Sequence, residues 1–287
     1  MTEATIRPRP VRFEWERTPL HWVPGDPFAT HLVNVLHLLL PAGEKWFVDV
    51  YRDALPLVRD DTLRRQVKGF MGQEAVHARA HASVLGHLRD QGLDAEPYTR
   101  RIERMFSLLL GPRRGPRWVR RARLRMQLAS IAGIEHLTAL LGHWILDCHG
   151  LDAAGADPTM LDLLRWHGAE EMEHRAVAFD LYRHVSGSYL RRAAAMAMVL
   201  PVLVLLWIEG VRFLMRADPT LSGVRPRWRD YRRAARRTLV PAVHTKVPEV
   251  LRYFRRDFHP SQEGSTELAL AYLASSPAAR AAERLSA

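Results

Sequence analysis

The sequence has a single cysteine, Cys148, among its 287 residues. One cysteine excludes both an intrachain disulfide framework and a zinc site built from several thiolates, and it fits a reducing compartment. The first 24 residues are polar and contain prolines, so they lack the apolar run of a signal peptide. We therefore expect a cytoplasmic protein.

Lysine is nearly absent as well, because it occurs only at Lys45, Lys68 and Lys246, although the formal net charge is +11. An arginine-rich chain of this charge favours an anionic neighbour such as phosphate, nucleic acid or a membrane surface. Nucleic acid is disfavoured because no helix-turn-helix, zinc-finger or RNP pattern accompanies the arginines. The basic stretch 225–237, which includes Trp228, suits anionic lipid, so we expect peripheral contact with the inner face of the membrane.

One segment lacks charge altogether, since residues 193–208 form sixteen uncharged positions interrupted by Pro201. This run is shorter than the ~20 apolar residues of a membrane-spanning helix, so we do not expect it to span a bilayer. Two interpretations stay open. The segment is either a buried fifth helix packed on the rest of the fold, or an apolar surface that meets a membrane or a second copy of the chain.

The chain divides into four segments: an N-terminal arm at residues 1–27, a helical bundle at 28–187, apolar and basic C-terminal helices at 188–262, and a tail at 263–287. Within the bundle, Asp60 and its neighbours supply cap residues for a helix that runs to about Gln91. A second continuous helix is predicted from about Thr159 to Val185. The tail is expected to hold a short helix with a loose alanine-rich end.

Two stretches repeat the spacing Glu-x-x-His, from Glu74 to His77 and from Glu171 to His174. Side chains at this spacing share one face of an α-helix and can hold a metal ion together. His167 stands four residues before Glu171 on the same face, so it is a further candidate ligand. Two such motifs predict two metal ions, because dinuclear carboxylate bundles take Glu-x-x-His from two helices and a lone glutamate from each of the other two.

Neighbouring glutamates offer alternatives within the second motif. Glu170 lies four residues before His174, and Glu173 directly precedes it. We prefer Glu171 because it alone reproduces the three-residue spacing of the first motif.

Two isolated glutamates would complete such a site. Glu135 interrupts a helix that is apolar nearly all round, from Leu128 to Leu146, and a buried carboxylate must be neutralised, paired or bound to a metal. Pairing with arginine or protonation is the alternative for Glu135. Glu44 follows Pro41-Ala-Gly43, where we expect a helix from His31 to about Leu57 to kink or restart. A capping or solvated glutamate is the alternative there.

Two more residues are candidates for supporting roles around the metals. His81 lies one turn beyond His77, and we favour an orienting or substrate-facing role for it over direct ligation. Asp180 lies off the metal face, where it either orients a histidine or binds Arg183.

Four short sequence motifs are distinctive in combination: Pro-Ala-Gly-Glu44, Gln73-Glu-Ala-Val-His77, Glu170-Glu-Met-Glu-His174-Arg-Ala-Val-Ala-Phe-Asp180 and Tyr253-Phe-Arg-Arg-Asp-Phe-His259-Pro260. Together they resemble the bacterial family of predicted metal-dependent hydrolases within the ferritin-like group, over roughly residues 20–262. The resemblance implies six metal ligands that are also the catalytic candidates: Glu44, Glu74, His77, Glu135, Glu171 and His174. The fold it implies is all-α, a ferritin-like four-helix bundle with a dinuclear metal site and extra C-terminal helices.

The order of the ligands is also similar to that of the di-iron arylamine N-oxygenases, in which a third histidine precedes the last Glu-x-x-His by the same interval. This resemblance implies that His167 is a seventh ligand and that the centre is a di-iron site that activates O2. Outside the ligands nothing resembles those enzymes, so an amine substrate does not carry over.

Carboxylate and imidazole donors without thiolate favour two iron ions, with manganese as the alternative. Such a pair can activate O2 as a co-substrate, or it can hydrolyse an ester or phosphoryl group with a bridging water. We expect an oxygenase or oxidase acting on a hydrophobic, lipid-like small molecule, because no separate general acid, oxyanion donor or phosphate loop accompanies the ligands. An electron-donor protein and a second copy of the chain are candidate partners. The alternatives are a metal-dependent hydrolase and a non-catalytic membrane-associated metal-binding protein.

Overall fold

The computed structural model describes residues 6–111 and 115–286, and all regular structure within those ranges is helical. Residues 1–5 of the predicted arm and residue 287 of the predicted tail lie outside them. The helices are α1 (Pro27–Ala54), α2 (Asp61–Asp90), α3 (Glu96–Met105), α4 (Arg117–Leu146), α5 (Gly150–Ala153), α6 (Pro158–His174), α7 (Val177–Val185), α8 (Tyr189–Ala217), α9 (Trp228–Arg236), α10 (Val243–Arg252), α11 (Thr266–Ser275) and α12 (Pro277–Ser286). The all-α part of the prediction is confirmed.

Aspartate side chains begin three of the helices that surround the site. Asp26 accepts a hydrogen bond from the backbone N–H of Ala29, and Asp60 does the same for Leu63 at the predicted start of α2. Asp157 caps α6 in the same way. Each cap satisfies a backbone donor that the first helical turn leaves free, and it contributes about 1 kcal/mol.

The interior lies between two packed helix pairs. Helix α1 packs along α2, and α4 packs along α6 and α7. The pairs meet where α1 touches α4 and where α2 touches α6 and α7, and α8 packs outside them on α1 and α4. Large side chains such as Tyr51, Phe70 and Trp166 are fully buried between these helices. The polar residues that the same helices turn inward therefore meet in an apolar surrounding.

Helix α1 continues through Pro41, so the predicted interruption and restart of the helix at Pro41–Gly43 is wrong. A proline inside a helix costs about 3 kcal/mol because it removes one backbone hydrogen bond. Residues on both sides of it, including Leu38 and Phe47, are buried, and their packing offsets that cost. Glu44 consequently lies on a continuous helix, 1% exposed, instead of at a solvated start.

The predicted helix from Thr159 to Val185 is instead divided into α6 and α7 at Arg175 and Ala176. The guanidinium of Arg175 donates to the backbone carbonyl of Met172 and, at 3.2 Å, to that of Pro260. In an unbroken helix the Met172 carbonyl would accept from the N–H of Ala176. A side chain has therefore replaced that backbone donor, and the helix ends at the last candidate ligand.

The tail contains the predicted short helix, α11, but its alanine-rich end forms a second helix, α12, where a loose segment was expected. Both helices pack on α6, where buried Asp162 accepts hydrogen bonds from the Tyr272 hydroxyl at 2.9 Å and from the Ser276 hydroxyl at 2.7 Å. Ala279 and Ala282 are buried. Small side chains in this segment thus allow close packing against the bundle.

Helix α8 contains the uncharged segment and continues through Pro201. Within the described ranges it is the one helix long and apolar enough to cross a membrane by length and composition, and 33% of its most apolar 18-residue window is buried. Its inner side packs on α1 and α4. Several apolar side chains on it are exposed: Met198, Val202, Val204, Leu205 and Ile208. The segment is therefore only partly a buried core helix.

Candidate metal centre

The structure brings the seven candidate ligands to one place in the interior. Helix α1 supplies Glu44, α2 supplies Glu74 and His77, α4 supplies Glu135, and α6 supplies His167, Glu171 and His174. All seven are buried. Their carboxylate oxygens and ring nitrogens form overlapping groups whose atoms lie within 4.8 Å of one another.

One half of the cluster is built around His174. Its Nε2 lies 3.3 Å from Glu135 Oε2, 3.4 Å from Glu74 Oε1 and 3.6 Å from Glu171 Oε1. Ligands that each bind one ion at ~2.0–2.2 Å are separated from each other by roughly 3–3.5 Å. The spacing around His174 is therefore that of atoms able to share a metal ion.

The other half is built around His77 and His167. Nδ1 of His77 lies 3.6 Å from Glu74 Oε1 and 3.7 Å from Glu171 Oε1. Nε2 of His167 lies 2.9 Å from Glu171 Oε1 and 3.8 Å from Glu44 Oε1. Because Glu74 and Glu171 reach both halves, these two carboxylates are the groups that could bridge two ions.

Many of the converging atoms make no hydrogen bond within the described ranges. Both carboxylate oxygens of Glu44, Glu74 and Glu135 belong to this set, as do His77 Nδ1 and His174 Nε2. Burying polar atoms without partners costs several kcal/mol for charged groups, so natural proteins rarely do it without a compensating ion. Oxygen and imidazole donors of this kind fit iron, manganese or zinc.

The pKa values of the carboxyl groups reflect their crowding. Burial and repulsion by Glu171 and Glu74 raise the pKa of Glu135 to about 8. Burial and the charge of Glu74 raise the pKa of Glu44 well above its ordinary value. Burial alone would raise the pKa of Glu171, but His174 and His167 outweigh it and lower that pKa. The raised pKa values mean that burial and mutual repulsion disfavour negative charge on Glu44 and Glu135, and bound cations would offset that repulsion.

The ring nitrogens that face away from the cluster are held by a second layer of polar groups. Nε2 of His77 donates to Glu170 Oε2 at 2.9 Å, and Nδ1 of His174 donates to Gln73 Oε1 at 2.9 Å. Glu170, considered from sequence as an alternative ligand, thus lies behind a histidine. Such contacts fix the tautomer and leave the opposite nitrogen free to bind a metal. The Gln73 contact was not anticipated, although this residue directly precedes Glu74 in the first motif.

His81 belongs to a row of three histidines. Its Nε2 lies 2.7 Å from Nδ1 of His167, and its Nδ1 lies 2.7 Å from Nδ1 of His37. Burial lowers the pKa of His37 to about 3 and lowers that of His81 well below its ordinary value, which favours the neutral form of both rings. His81 also lies within reach of Glu44. His37 was not singled out from sequence, since a lone histidine on an apolar helix has no distinctive spacing.

Asp180 lies outside this arrangement. Its Oδ1 lies 3.0 Å from Nε2 of His259, which packs edge-on against Phe179. Asp180 therefore contacts a histidine, as one of its two predicted roles required, but that histidine is not one of the candidate ligands.

A second histidine and aspartate cluster lies elsewhere, at the end of α8. Nε2 atoms of His21 and His31 lie 2.6 and 2.7 Å from Oδ2 of Asp218. These distances are those of direct hydrogen bonds, shorter than the spacing around His174. The cluster therefore ties the N-terminal arm and α1 to the end of α8.

The fold and the site define an all-helical protein with buried glutamate and histidine side chains suited to metal binding. A family model described as a predicted metal-dependent hydrolase matches residues 7–264. The chain belongs to that family, as the four sequence motifs indicated. Comparison with curated proteins and with solved structures returned no match.

Proposed function

We propose that this protein is a metal-dependent hydrolase with a dinuclear centre inside a ferritin-like four-helix bundle. The observation that supports this most directly is the convergence of four glutamates and three histidines in one buried cluster with unpaired ligand atoms. Membership of the predicted metal-dependent hydrolase family favours hydrolysis over the oxidation expected from the ligand pattern.

The two ions would divide the cluster between them. Glu135 and His174 would hold one ion, while Glu44, His77 and His167 would hold the other. Glu74 and Glu171 belong to the groups on both sides and would bridge. Two such ions lower the pKa of a water between them and polarise the oxygen of an ester or phosphoryl group.

The protein side chains would orient the ligands and exclude bulk water. The Thr138 hydroxyl donates to Glu171 Oε2, and Trp166 packs edge-on against His77 with ring centroids 5.0 Å apart. Phe70 likewise packs edge-on against His174, with ring centroids 4.6 Å apart. An aromatic ring packed against each of these two histidines restricts its rotation, and an apolar lining strengthens the electrostatic effect of bound cations.

A second candidate function is O2-dependent oxidation of a hydrophobic molecule by two iron ions, with electrons from a partner protein. The specific observation in its favour is His167, whose Nε2 lies 2.9 Å from Glu171 Oε1. A third histidine at that interval is the feature shared with the ligand order of the di-iron N-oxygenases.

The test starts with metal analysis of the purified protein beside a Glu135→Ala variant. We expect about two ions per chain in the parent, as in other dinuclear carboxylate sites, and a clear deficit in the variant. Parent protein without bound metal would contradict the proposal.

Activity measurements then separate the two candidates. Protein loaded with manganese or zinc should hydrolyse members of a panel of chromogenic esters and phosphoesters, and Glu135→Ala should not. Protein that is loaded anaerobically with ferrous iron and then exposed to O2 should consume no O2 beyond the uncatalysed rate. Rapid O2 uptake that needs an intact Glu135, with no hydrolysis of any panel member, would favour oxidation instead.

For partners, we propose that a face of α8 meets an anionic membrane from which a hydrophobic substrate is drawn. Leu205 is 61% and Met198 52% exposed on this face, and the chain has a formal net charge of +11. A second copy of the chain is the alternative partner for this apolar face, and in that case the protein would be a dimer in solution.

A further inference from the structure

The first described residues lie in a groove of α2 that two glycines form. A Cβ on Gly69 would lie 2.4 Å from the backbone oxygen of Ile6, and a Cβ on Gly72 would lie 3.0 Å from Cγ of Pro8. Any larger residue at Gly69 would displace the arm. The side chain of Gln73, one residue further along α2, donates to the backbone oxygen of Arg7 at 3.2 Å. The arm is therefore fitted to α2 instead of lying loosely over it.

The groove places Arg9 beside a pair of buried carboxylates. Nη1 of Arg9 lies 2.7 Å from Glu170 Oε1 and 2.9 Å from Glu173 Oε2, and Nη2 lies 3.1 Å from Glu173 Oε1. The side chains of Glu170 and Glu173 are 0% and 3% exposed. A guanidinium can bind two carboxylates at once because its donors form a rigid planar fork, which an ammonium lacks.

Each of these two carboxylates is linked by hydrogen bonds to a different candidate metal ligand. The second oxygen of Glu170 accepts from Nε2 of His77 at 2.9 Å. Glu173 Oε2 accepts from Nε2 of Gln73 at 2.7 Å, and Gln73 Oε1 in turn accepts from Nδ1 of His174 at 2.9 Å. A single arginine thus connects with one histidine in each half of the cluster.

We propose that Arg9 is a positioning residue of the metal centre, which fixes the rings of His77 and His174 through Glu170 and through the pair Glu173 and Gln73. The proposal rests on the proposed metal centre. Nη1 of Arg9 lies 2.7 Å from Glu170 and 2.9 Å from Glu173. Without Arg9, these two buried carboxylates would lose the cation that they share. They would turn toward water, and the histidines would lose the partners that set their tautomers.

The first experiment compares Arg9→Ala with Arg12→Ala in the full chain. Arg12 is an exposed arginine of the same arm, so its removal changes net charge equally. Affinity for Mn²⁺ and Co²⁺ is measured by competition with a chelator, and the absorption spectrum of the Co²⁺ form reports ligand geometry. We expect Arg9→Ala to bind metal about 10–100-fold more weakly, with an altered Co²⁺ spectrum, as for other partners of ligating histidines. Arg12→Ala should match the parent in both respects.

Two further variants keep the test decisive if Arg9→Ala folds poorly. Arg9→Lys retains the charge without the fork and should recover only part of the affinity. Gly69→Ala leaves every charge in place but pushes on the arm, so it should weaken metal binding in the same direction. Gly86→Ala on the same helix, where an added Cβ meets nothing within 4 Å, should bind metal like the parent.

The outcomes separate this proposal from the proposed function. If Arg9→Ala and Gly69→Ala bind both metals as tightly as the parent with an unchanged Co²⁺ spectrum, the positioning role is wrong while the metal centre stands. A lowered melting temperature with unchanged affinity and spectrum would likewise reduce Arg9 to a structural contact. If the parent and Arg12→Ala bind no metal, the proposed function fails and the positioning role fails with it.

Discussion

Gly142 of α4 and Gly168 of α6 face each other where the two helices cross. A Cβ on Gly142 would lie 2.7 Å from the carbonyl oxygen of Gly168 and 3.2 Å from Cβ of Glu171. The absence of side chains at this crossing lets the two backbones approach closely. That approach sets the distance between Glu135 on one helix and the ligands on the other.

Replacing Gly168 by alanine should therefore disturb both stability and the centre. The added Cβ would lie 2.7 Å from Cγ2 of Ile145 and 2.9 Å from Cα of Gly142, which forces the helices apart. We expect a loss of about 1–3 kcal/mol in the free energy of unfolding, typical of overpacking, together with reduced metal content. Urea denaturation of Gly168→Ala and Gly86→Ala checks this, because the control should be as stable as the parent or slightly more stable.

Replacing Glu135 by glutamine should stabilise the metal-free protein while it weakens metal binding. The neutral amide removes a carboxyl group whose burial and whose neighbours Glu171 and Glu74 oppose its charge. We expect a gain of roughly 1–3 kcal/mol without metal and no stabilisation on adding Mn²⁺. Thermal unfolding with chelator and with Mn²⁺ measures both effects. A metal-free variant less stable than the metal-free parent would contradict this prediction.

His81→Phe distinguishes an orienting role from direct ligation. If His81 only orients His167 through their 2.7 Å contact, the variant should still bind about two ions per chain, with about 10–100-fold lower affinity. Metal analysis at saturating Mn²⁺ gives the stoichiometry, and chelator competition gives the affinity. Loss of one ion even at saturation would instead make His81 a ligand.

The cluster around Asp218 predicts a pH-dependent contribution to stability. Burial alone would raise the pKa of Asp218, but hydrogen bonds from Thr220, His21 and His31 outweigh it and lower that pKa. The unfolded chain, with an aspartate pKa of about 4, then binds the proton more readily than the folded chain. The stabilisation is therefore present above about pH 4 and is lost as pH falls toward the lowered folded pKa.

Asp218→Asn should cost about 1–3 kcal/mol at neutral pH, because one amide oxygen replaces an ionised acceptor. The difference from the parent should shrink on going from pH 6 to pH 3, as followed by urea denaturation. Asp147→Asn, at the exposed residue that directly follows α4, is the control and should differ little from the parent in stability. A pH-independent effect of Asp218→Asn would count against the ionised cluster.

A charge on the exposed face of α8 should weaken membrane contact. We expect the parent to bind vesicles that contain anionic lipid in a flotation assay, and Leu205→Asp to bind them less, because it introduces a charge into the lipid-facing surface. Leu285→Asp on α12, where the leucine is 80% exposed, should bind like the parent. Equal binding by all three proteins would exclude α8 as the contact.

Local spacing in the sequence was enough to place several features of the site. The motif glutamates and histidines share helix faces because the α-helical period is fixed by neighbouring residues. The continuation of α1 through Pro41 was missed because the helix packs along α2, which a sequence window around the proline does not contain. The break at Arg175 was missed for the same reason, since its guanidinium reaches Pro260.

The second layer of the site was the least predictable part. Glu170 was weighed as a ligand, and only the direction of its side chain shows that it supports His77. Arg9 lies in an arm without periodicity, and its partners are far along the chain. A charged residue in a proline-containing arm has no pattern that would distinguish it from solvated neighbours such as Arg12.

The contact between Arg9 and Glu170 joins positions 161 residues apart. Closing so long a segment costs chain entropy that the contacts within a helix do not require, so we expect this contact to form late in folding. During synthesis, Arg9 leaves the ribosome first, and more than half of the 287-residue chain must follow before it can meet Glu170. Metal binding would then be a late step in the maturation of the protein. Local opening of the native state would be expected to start where the arm meets α6.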